Sequence, residues 1–324
     1  MKAWDIAIIG GGGAGLTAAM YGARGQRDVV VFERKLTGGQ IATTDLVENF
    51  PGFPRGVNGF DLGQSMLAQA EKFGARVEYE GVDSLVREPS GMFRLRVGEE
   101  EHVARTVIVT AGAEYRHLDV PGEEAFTGRG VSYCATCDAA FFKDMDVAVV
   151  GGGDAAMDEG MFLTRYAKSV TVIHRGGSLR ASKVLQERAF ANPKMRFVWD
   201  TVVQAIEGEA AVTGALLRNV KTGEESRIDV SAVFVFIGHL PNNELLKGLV
   251  ELDGDGQVLV DLRMRTTTPG LFVAGDVRTE AALQLISACG DGATAAITAE
   301  RYLQEMDAAA SEQPAVLPSN HAAV

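Results

Sequence analysis

Cysteine is scarce in this chain, with three residues in 324, at positions 134, 137 and 289. That excludes a disulfide scaffold, in which several bridges stand in for a core. Histidine is nearly as sparse, and its five copies are scattered without ligand spacing. No second C-x-x-C accompanies Cys134 and Cys137, so a structural zinc site would lack half its ligands. Positive charge is also short. The 31 Lys and Arg against 43 Asp and Glu leave a formal charge of −12. No basic run is interleaved with aromatics, which argues against nucleic acid as a partner, whereas an acidic surface steers a partner that carries a basic patch. No stretch reaches the ~20 apolar residues of a membrane span, so none is expected. The apolar N-terminal segment is broken by four glycines, Gly10 to Gly13, and reads as strand and turn, not as a signal peptide.

What the chain does have is a repeat. Asp5 opens DIAIIGGGGAGLTAA and leads to VVVFER at Val29–Arg34; Asp146 opens DVAVVGGGDAAMDEG and leads to VTVIHR at Val170–Arg175. An offset of 141 maps Gly10 on Gly151, Gly12 on Gly153, Gly15 on Ala156 and Glu33 on His174 without a gap. Each copy reads as buried strand, glycine turn, helix and second strand. In G-x-G-x-x-G/A the first glycine makes the turn and the second admits a pyrophosphate, while the small third residue keeps helix on strand. The helix start then offers free N–H groups and a positive dipole end to phosphates.

The end of each second strand separates the two ligands. Glu33, 18 residues after Gly15, can accept hydrogen bonds from an unphosphorylated ribose, as in FAD or NAD. Its counterpart His174 is followed by Arg175 and then Arg180. Guanidinium groups there favour the 2′-phosphate of NADP; the plainer alternative is a solvated charged turn.

Between the copies lies Cys134-Ala135-Thr136-Cys137-Asp138. A two-residue gap lets both sulfurs switch between dithiol and disulfide. Asp138, directly after, can carry the proton that a leaving thiolate needs, or simply start a helix. Cys289, alone in a small-residue stretch, reads as a packed core thiol.

With these residues in hand the chain resembles the low-molecular-weight thioredoxin reductases over about Asp5 to Leu303. The resemblance also rests on Gly38-Gly39-Gln40, Glu48-Asn49-Phe50-Pro51-Gly52 and Thr268-Pro269-Gly270-Leu271-Phe272-Val273-Ala274-Gly275-Asp276. It implies an α/β fold of two Rossmann-like three-layer nucleotide-binding domains, the second inserted into the first. It implies FAD in the first site, along Gly39, Gln40, Asn49, Asp276 and Gln284, and NADPH in the second. Cys137 is then the flavin-facing sulfur, Cys134 the thiolate that attacks oxidised thioredoxin, and Asp138 the proton donor and acceptor. A homodimer and a cytoplasmic location follow from the family, and sparse cysteine with one redox pair fits a reducing compartment. The alternatives are an NADH-preferring reductase of another thioredoxin-like protein, or a non-enzymatic redox sensor that binds flavin and nucleotide. Glutathione-reductase-like enzymes carry their cysteine pair in the first nucleotide domain, where Gly38–Asn49 has none.

Three positions depart from the family pattern. Gly176 replaces a second Arg after His174-Arg175, Ala139 replaces a Gly after Asp138, and Leu283 replaces a basic residue before Gln284. Thr106–Gly112 and Ala232–Gly238 read as the strands that close the two nucleotide folds, with linkers at Tyr115–Glu124 and Gly238–Lys247. The expected domains are 1–115 with 244–324, and 116–243. A hinge is expected at Pro121-Gly122 and Pro241-Asn242-Asn243. Asp61–Phe73 has helical apolar spacing stopped by Gly74, and the alanine-rich chain after Met306 is expected to be disordered.

Overall fold

A strand walled on both faces needs apolar side chains at consecutive positions, and Ile6, Ala7, Ile8 and Ile9 supply them in β1 (Lys2–Ile9). This is a computed structural model, and it describes residues 2–44, 46–47 and 49–312. The chain divides into unit 1, Met1–Ala113 with Pro241–Val324, and unit 2, Glu114–Leu240.

Unit 1 begins with β1, α1 (Gly13–Arg24) and β2 (Val29–Phe32). It continues through α2 (Gly59–Lys72), β3 (Arg76–Glu78), β4 (Ser84–Arg87), β5 (Phe93–Val97) and β6 (Glu100–Val109). The sheet order is β3-β2-β1-β6-β5-β4. β1, β2, β3 and β6 run parallel, β5 returns antiparallel on the start of β6, and β4 pairs antiparallel with β5 at the sheet edge. Ile6 and Ile8 face a core shared with Ala18 and Ala19 of α1, while Ala7 and Ile9 face a second core with Phe93 and Leu95 of β5. The period of two along the strand thus divides one apolar run between two layers.

The chain crosses to unit 2 through β7 (Ala113–Tyr115) and continues into β8 (Val131–Ser132) and α3 (Ala135–Asp138). The second nucleotide motif follows as β9 (Asp146–Gly151), α4 (Asp154–Leu163) and β10 (Ser169–Ile173), then α5 (Lys183–Ala191) and β11 (Met195–Val198). An antiparallel sheet of β12 (Thr201–Gly208), β13 (Val212–Asn219) and β14 (Glu225–Asp229) precedes β15 (Ala232–Phe236). The parallel sheet has the order β11-β10-β9-β15-β8. Val147 and Val149 of β9 pack with Ala156 and Met157 of α4, and Ala148 and Val150 pack with Val203, Ile206 and Leu217 of the antiparallel sheet. Helices, parallel sheet and antiparallel sheet are therefore three layers.

The return passage is β16 (His239–Pro241), which pairs with β7. β17 (Leu271–Val273) then joins β6 in parallel, and α6 (Leu285–Glu312) packs Ala295, Ala296 and Ala299 into the core beside α1. This is the α/β architecture expected, with one Rossmann-like fold interrupted by another.

Two expectations are corrected. Helix α6 runs to Glu312 instead of dissolving after Met306, because Asp307 is held by Arg27 at 2.9 Å and by Arg105, and alanine favours helix. Residues 313–324 of the expected tail lie outside the described residues. Pro121-Gly122 lies inside unit 2, away from the divisions between the units: Pro121 O accepts the Ile206 N–H at 2.9 Å, and a Cβ on Gly122 would lie 2.0 Å from Ile206 O. Buried Glu123 ties the same segment down by accepting from the Leu118 and Asp119 N–H groups and from the Tyr133 hydroxyl. The segment is interior to unit 2, and the divisions between units fall at β7 and β16. The second expected hinge, Pro241-Asn242-Asn243, begins at the division between the units, and Asn242 and Asn243 bond Ala111 O and Gly256 O within unit 1.

The two glycine turns differ at their third position for a steric reason. A Cβ on Gly15 would sit 1.9 Å from Gly10 O and 2.8 Å from Thr110 Oγ1, whereas Ala156 carries its methyl fully buried. Gly15→Ala should cost about 3 kcal/mol, the range of overpacking, and Ala156→Gly about 1 kcal/mol, the loss of helix propensity. Urea unfolding of the two variants checks this, and equal losses would mean that α1 has room to shift.

Candidate active site: a disulfide and two nucleotide turns

In unit 1 the turn at the end of β1 is shaped by Gly10 at φ +107°, a conformation open to glycine and costly for other residues. Gly12 is the N-cap of α1, with no side-chain cap bond, so the helix starts with its N–H groups unclaimed by a capping side chain. Gly38 N–H bonds Gly11 O at 2.8 Å, which lays Gly38-Gly39 along the turn with Gly39 facing Gly12. Glu33, just past β2, turns its carboxylate onto the same turn and accepts from Gly11 N–H at 2.6 Å and Lys35 N–H at 2.7 Å.

Further residues of this unit converge from distant parts of the chain. Gln40 Nε2 donates to Ala113 O, and Asn49 Nδ2 donates to Gln284 Oε1 at 3.1 Å. Leu283 adopts φ +52° just before α6 begins. Asp276 follows the Ala274-Gly275 turn after β17, and its Oδ1 is buried without a hydrogen-bond partner among the described residues. Burial, with the Asp291 charge next and Arg278 opposing, pushes its carboxyl up to about 6. Beneath it Arg278 forks onto Asp291 at 2.7 and 2.9 Å. An orphaned buried acceptor costs free energy, and a ligand hydroxyl would satisfy it. Together with the ribose-type carboxylate at Glu33, these residues fit FAD.

Unit 2 repeats the turn with different chemistry. Gly151 has φ +150°, and Gly153 is the N-cap of α4 with no heavy atom within 4 Å of where its Cβ would be. Where Glu33 touches Gly11, buried His174 touches Gly152: a Cβ there would lie 2.3 Å from the imidazole. Burial lowers the His174 pKa, the Ser178 backbone opposes this, and the charges of Arg180 and Arg175 lower it further, so the ring is neutral at pH 7. Arg180 N–H returns to Gly152 O at 2.7 Å, so the loop of exposed Arg175 and Arg180 folds back over the glycine turn. Two unburied guanidiniums at a phosphate-type turn fit a 2′-phosphorylated nucleotide.

Cys134 and Cys137 form a disulfide with Cα atoms 5.3 Å apart. Cys134 is the N-cap of α3, and Cys137 lies within it. Asp138, the last residue of α3, is held by Ser132, whose hydroxyl donates to Oδ2 at 2.6 Å while Ser132 Oγ accepts the Cys134 N–H at 3.2 Å. Burial raises the Asp138 carboxyl and the Ser132 bond opposes it. Thr136 Oγ1 lies 3.3 Å from Cys134 Sγ. Ala139, where the family pattern has glycine, takes an ordinary right-handed φ of −54° and is buried, so no glycine conformation is needed there. Cys289 is a buried free thiol near Gly13 O, as its sequence surroundings suggested.

Reasoning from sequence missed Ser132, Thr136, Glu159 and the Arg278–Asp291 pair. Ser132 and Thr136 flank the cysteines and were within reach of a search for hydroxyls beside the dithiol. Glu159 and Asp291 sit on helices with no local mark of their role.

Two dinucleotide turns and a redox disulfide define a disulfide oxidoreductase that works with a pyridine nucleotide. The family described as pyridine nucleotide-disulphide oxidoreductase matches residues 4–310. A thioredoxin reductase of Mycolicibacterium smegmatis is 51% identical over 304 residues, covering 94% of this chain and 97% of the relative. One from Streptomyces coelicolor is 47% identical, covering 96% and 98%. The crystal structure of thioredoxin reductase from Streptococcus pyogenes superposes with TM-score 0.88 at 43% identity, covering 94% of this chain and 99% of that one. This chain belongs to the thioredoxin reductases of the pyridine nucleotide-disulphide oxidoreductase family. No helix of the described residues is long and apolar enough to cross a membrane.

Ser132→Ala removes a donor that favours the ionised form of Asp138, so the Asp138 pKa should rise further. The corresponding inflection in the pH profile of disulfide exchange should move to higher pH, as measured by single-turnover rates from pH 5 to 9. An unmoved inflection would show that another group titrates.

Proposed function

We propose that this enzyme reduces the disulfide of thioredoxin with electrons from NADPH, holding FAD in unit 1 and NADPH in unit 2. The observation that carries the reading is the Cys134–Cys137 disulfide with a half-buried carboxyl, Asp138, on the same short helix. Near-full-length identity to thioredoxin reductases supports thioredoxin as the substrate. Gly10, Gly12, Gly15, Glu33, Gly39, Gln40, Asn49, Asp276 and Gln284 would hold FAD; Gly151, Gly153, Ala156, Arg175 and Arg180 would hold NADPH. Bound FAD supplies a two-electron relay between the nicotinamide and the disulfide.

The chain's own residues carry the thiol steps. In the reduced pair, Cys134 Sγ as thiolate attacks one sulfur of the substrate disulfide, forms a mixed disulfide and expels one substrate thiolate. The Thr136 hydroxyl at 3.3 Å is a donor for that attacking sulfur. Cys137 Sγ then attacks Cys134 Sγ, the Cys134–Cys137 bond re-forms and the second substrate thiolate leaves. Asp138, kept partly desolvated and oriented by Ser132, takes the proton that a thiol gives up and returns it to a departing thiolate. A homodimer in the cytoplasm goes with the family, and a single redox pair among few cysteines agrees with a reducing compartment.

The deciding experiment is stopped-flow reduction of the purified flavoprotein by NADPH and by NADH, followed by oxidised thioredoxin. Fast bleaching with NADPH and reoxidation by thioredoxin is expected; bleaching without reoxidation would point to another disulfide partner or a sensor. Cys134→Ser should abolish thioredoxin turnover while the bleaching stays fast, and retained turnover would remove Cys134 as nucleophile.

Gly176 keeps NADH in view as the electron donor, because a guanidinium expected at that position is missing. Arg180→Ala should raise KM for NADPH about 10-fold, as expected for one lost charge-assisted contact, and leave KM for NADH within about twofold. Equal changes for both nucleotides would show that Arg180 does not read the 2′-phosphate.

A further inference from the structure

The reaction as described uses Cys134, Cys137 and Asp138, yet a second carboxylate touches the same helix. Glu159 stands on α4, three residues beyond Ala156, and its Oε2 accepts the Ala135 N–H at 3.1 Å. The Thr136 N–H is a further backbone donor to it. These are the first amides of α3, directly after Cys134, which makes no side-chain cap bond of its own. Amides at a helix start are the groups that ordinarily stabilise a cysteine thiolate and make it acidic. Here a carboxylate has claimed them and set its own negative charge on the amide of the residue that follows Cys134. Burial raises the Glu159 carboxyl while the Thr136 and Ala135 amides hold it down, and Asp158 adds to the rise.

The other charges on α3 and α4 have the same sign, while α5, packed on α4, carries Lys183 and Arg188 with Glu187. Asp138 lies on α3 itself, and Asp154 and Asp158 join Glu159 on α4. The 3-10 turn Ala139–Phe142 and strand β8 carry no titratable group, so no cation on α3, α4, this turn or β8 faces the dithiol. A pair whose thiolate is strongly stabilised favours its reduced form and is an oxidant, whereas an unstabilised thiolate makes the pair a reductant.

We propose that Glu159 is a positioning residue that makes the dithiol a stronger reductant: by holding the Ala135 and Thr136 amides it fixes the turn between the cysteines and withholds those donors from the Cys134 thiolate. This deepens the functional reading above and rests on it. The acceptor geometry survives in Glu159→Gln while the charge is lost; in Glu159→Ala the amides are freed as well.

The test is alkylation of the reduced holoenzyme by iodoacetamide between pH 5 and 10, with modified Cys134 quantified by peptide mapping, alongside the dithiol/disulfide potential in glutathione buffers. Relative to the unsubstituted enzyme, Glu159→Gln should move the Cys134 midpoint down by about half to one pH unit and make the potential less negative. Glu159→Ala should move both further in the same direction. Neither readout responds to a purely structural cap, because the glutamine keeps the hydrogen bond. A Glu159→Gln midpoint and potential that match the unsubstituted enzyme, or a midpoint that rises, would overturn the proposal. Lack of thioredoxin turnover in the unsubstituted enzyme would instead overturn the functional reading, and the thiol titration does not depend on that turnover.

Discussion

In both units a helix begins almost on the last residue of a strand buried on both faces, and the approach at Gly15 leaves no room for a side chain, since Gly10 O lies 1.9 Å from its missing Cβ. Much else depends on that approach. It sets the first amides of α1 and α4 free at the mouth of the sheet, where a pyrophosphate can use them. It also brings the residue after the second strand onto the middle of the turn. Glu33 bonds Gly11, and His174 packs on Gly152. One backbone geometry thus puts chemically different residues at equivalent positions of the two turns, with Arg175 and Arg180 following His174.

The same constraint reaches the disulfide. Ala156 packs α4 against β9 with its methyl fully buried, and one turn along that helix Glu159 meets the amides of α3. Helix α4 therefore serves both the nucleotide turn and the cysteine turn. Around the cysteines, hydroxyls and carboxyls do the work without cations: Ser132 links Asp138 to the Cys134 backbone, and Thr136 attends the sulfur. Desolvation keeps Asp138 protonated to higher pH than an exposed aspartate.

Several positions were legible because their requirements are local. Glycine turns follow from steric limits on contiguous residues, and C-x-x-C from the reach of two nearby sulfurs. The buried strands follow from unbroken apolar runs, and α2 from apolar spacing stopped at Gly74, which takes φ +103°. Other readings failed for lack of tertiary information. Pro121-Gly122 carries the composition of a linker, yet it lies within unit 2, tied there by a hydrogen bond from Ile206 and the contacts of Glu123. The alanine-rich stretch after Met306 lacks apolar periodicity, yet Arg27 and Arg105 hold its helix by ion pairs that no periodicity records.

By itself the sequence determined the class of chemistry: two dinucleotide turns, one dithiol and a fold built on parallel sheets, each set by short-range sterics and a regular period. Only the tertiary structure decided which polar groups meet within each unit. Asn49 meets Gln284 across 235 positions, Arg278 and Asp291 pair beneath the unsatisfied Asp276, and Glu159 reaches Ala135 from another helix. Such pairs are joined by the path of the chain through space, and hydrogen bonding between distant residues imposes no spacing that a linear pattern could reveal.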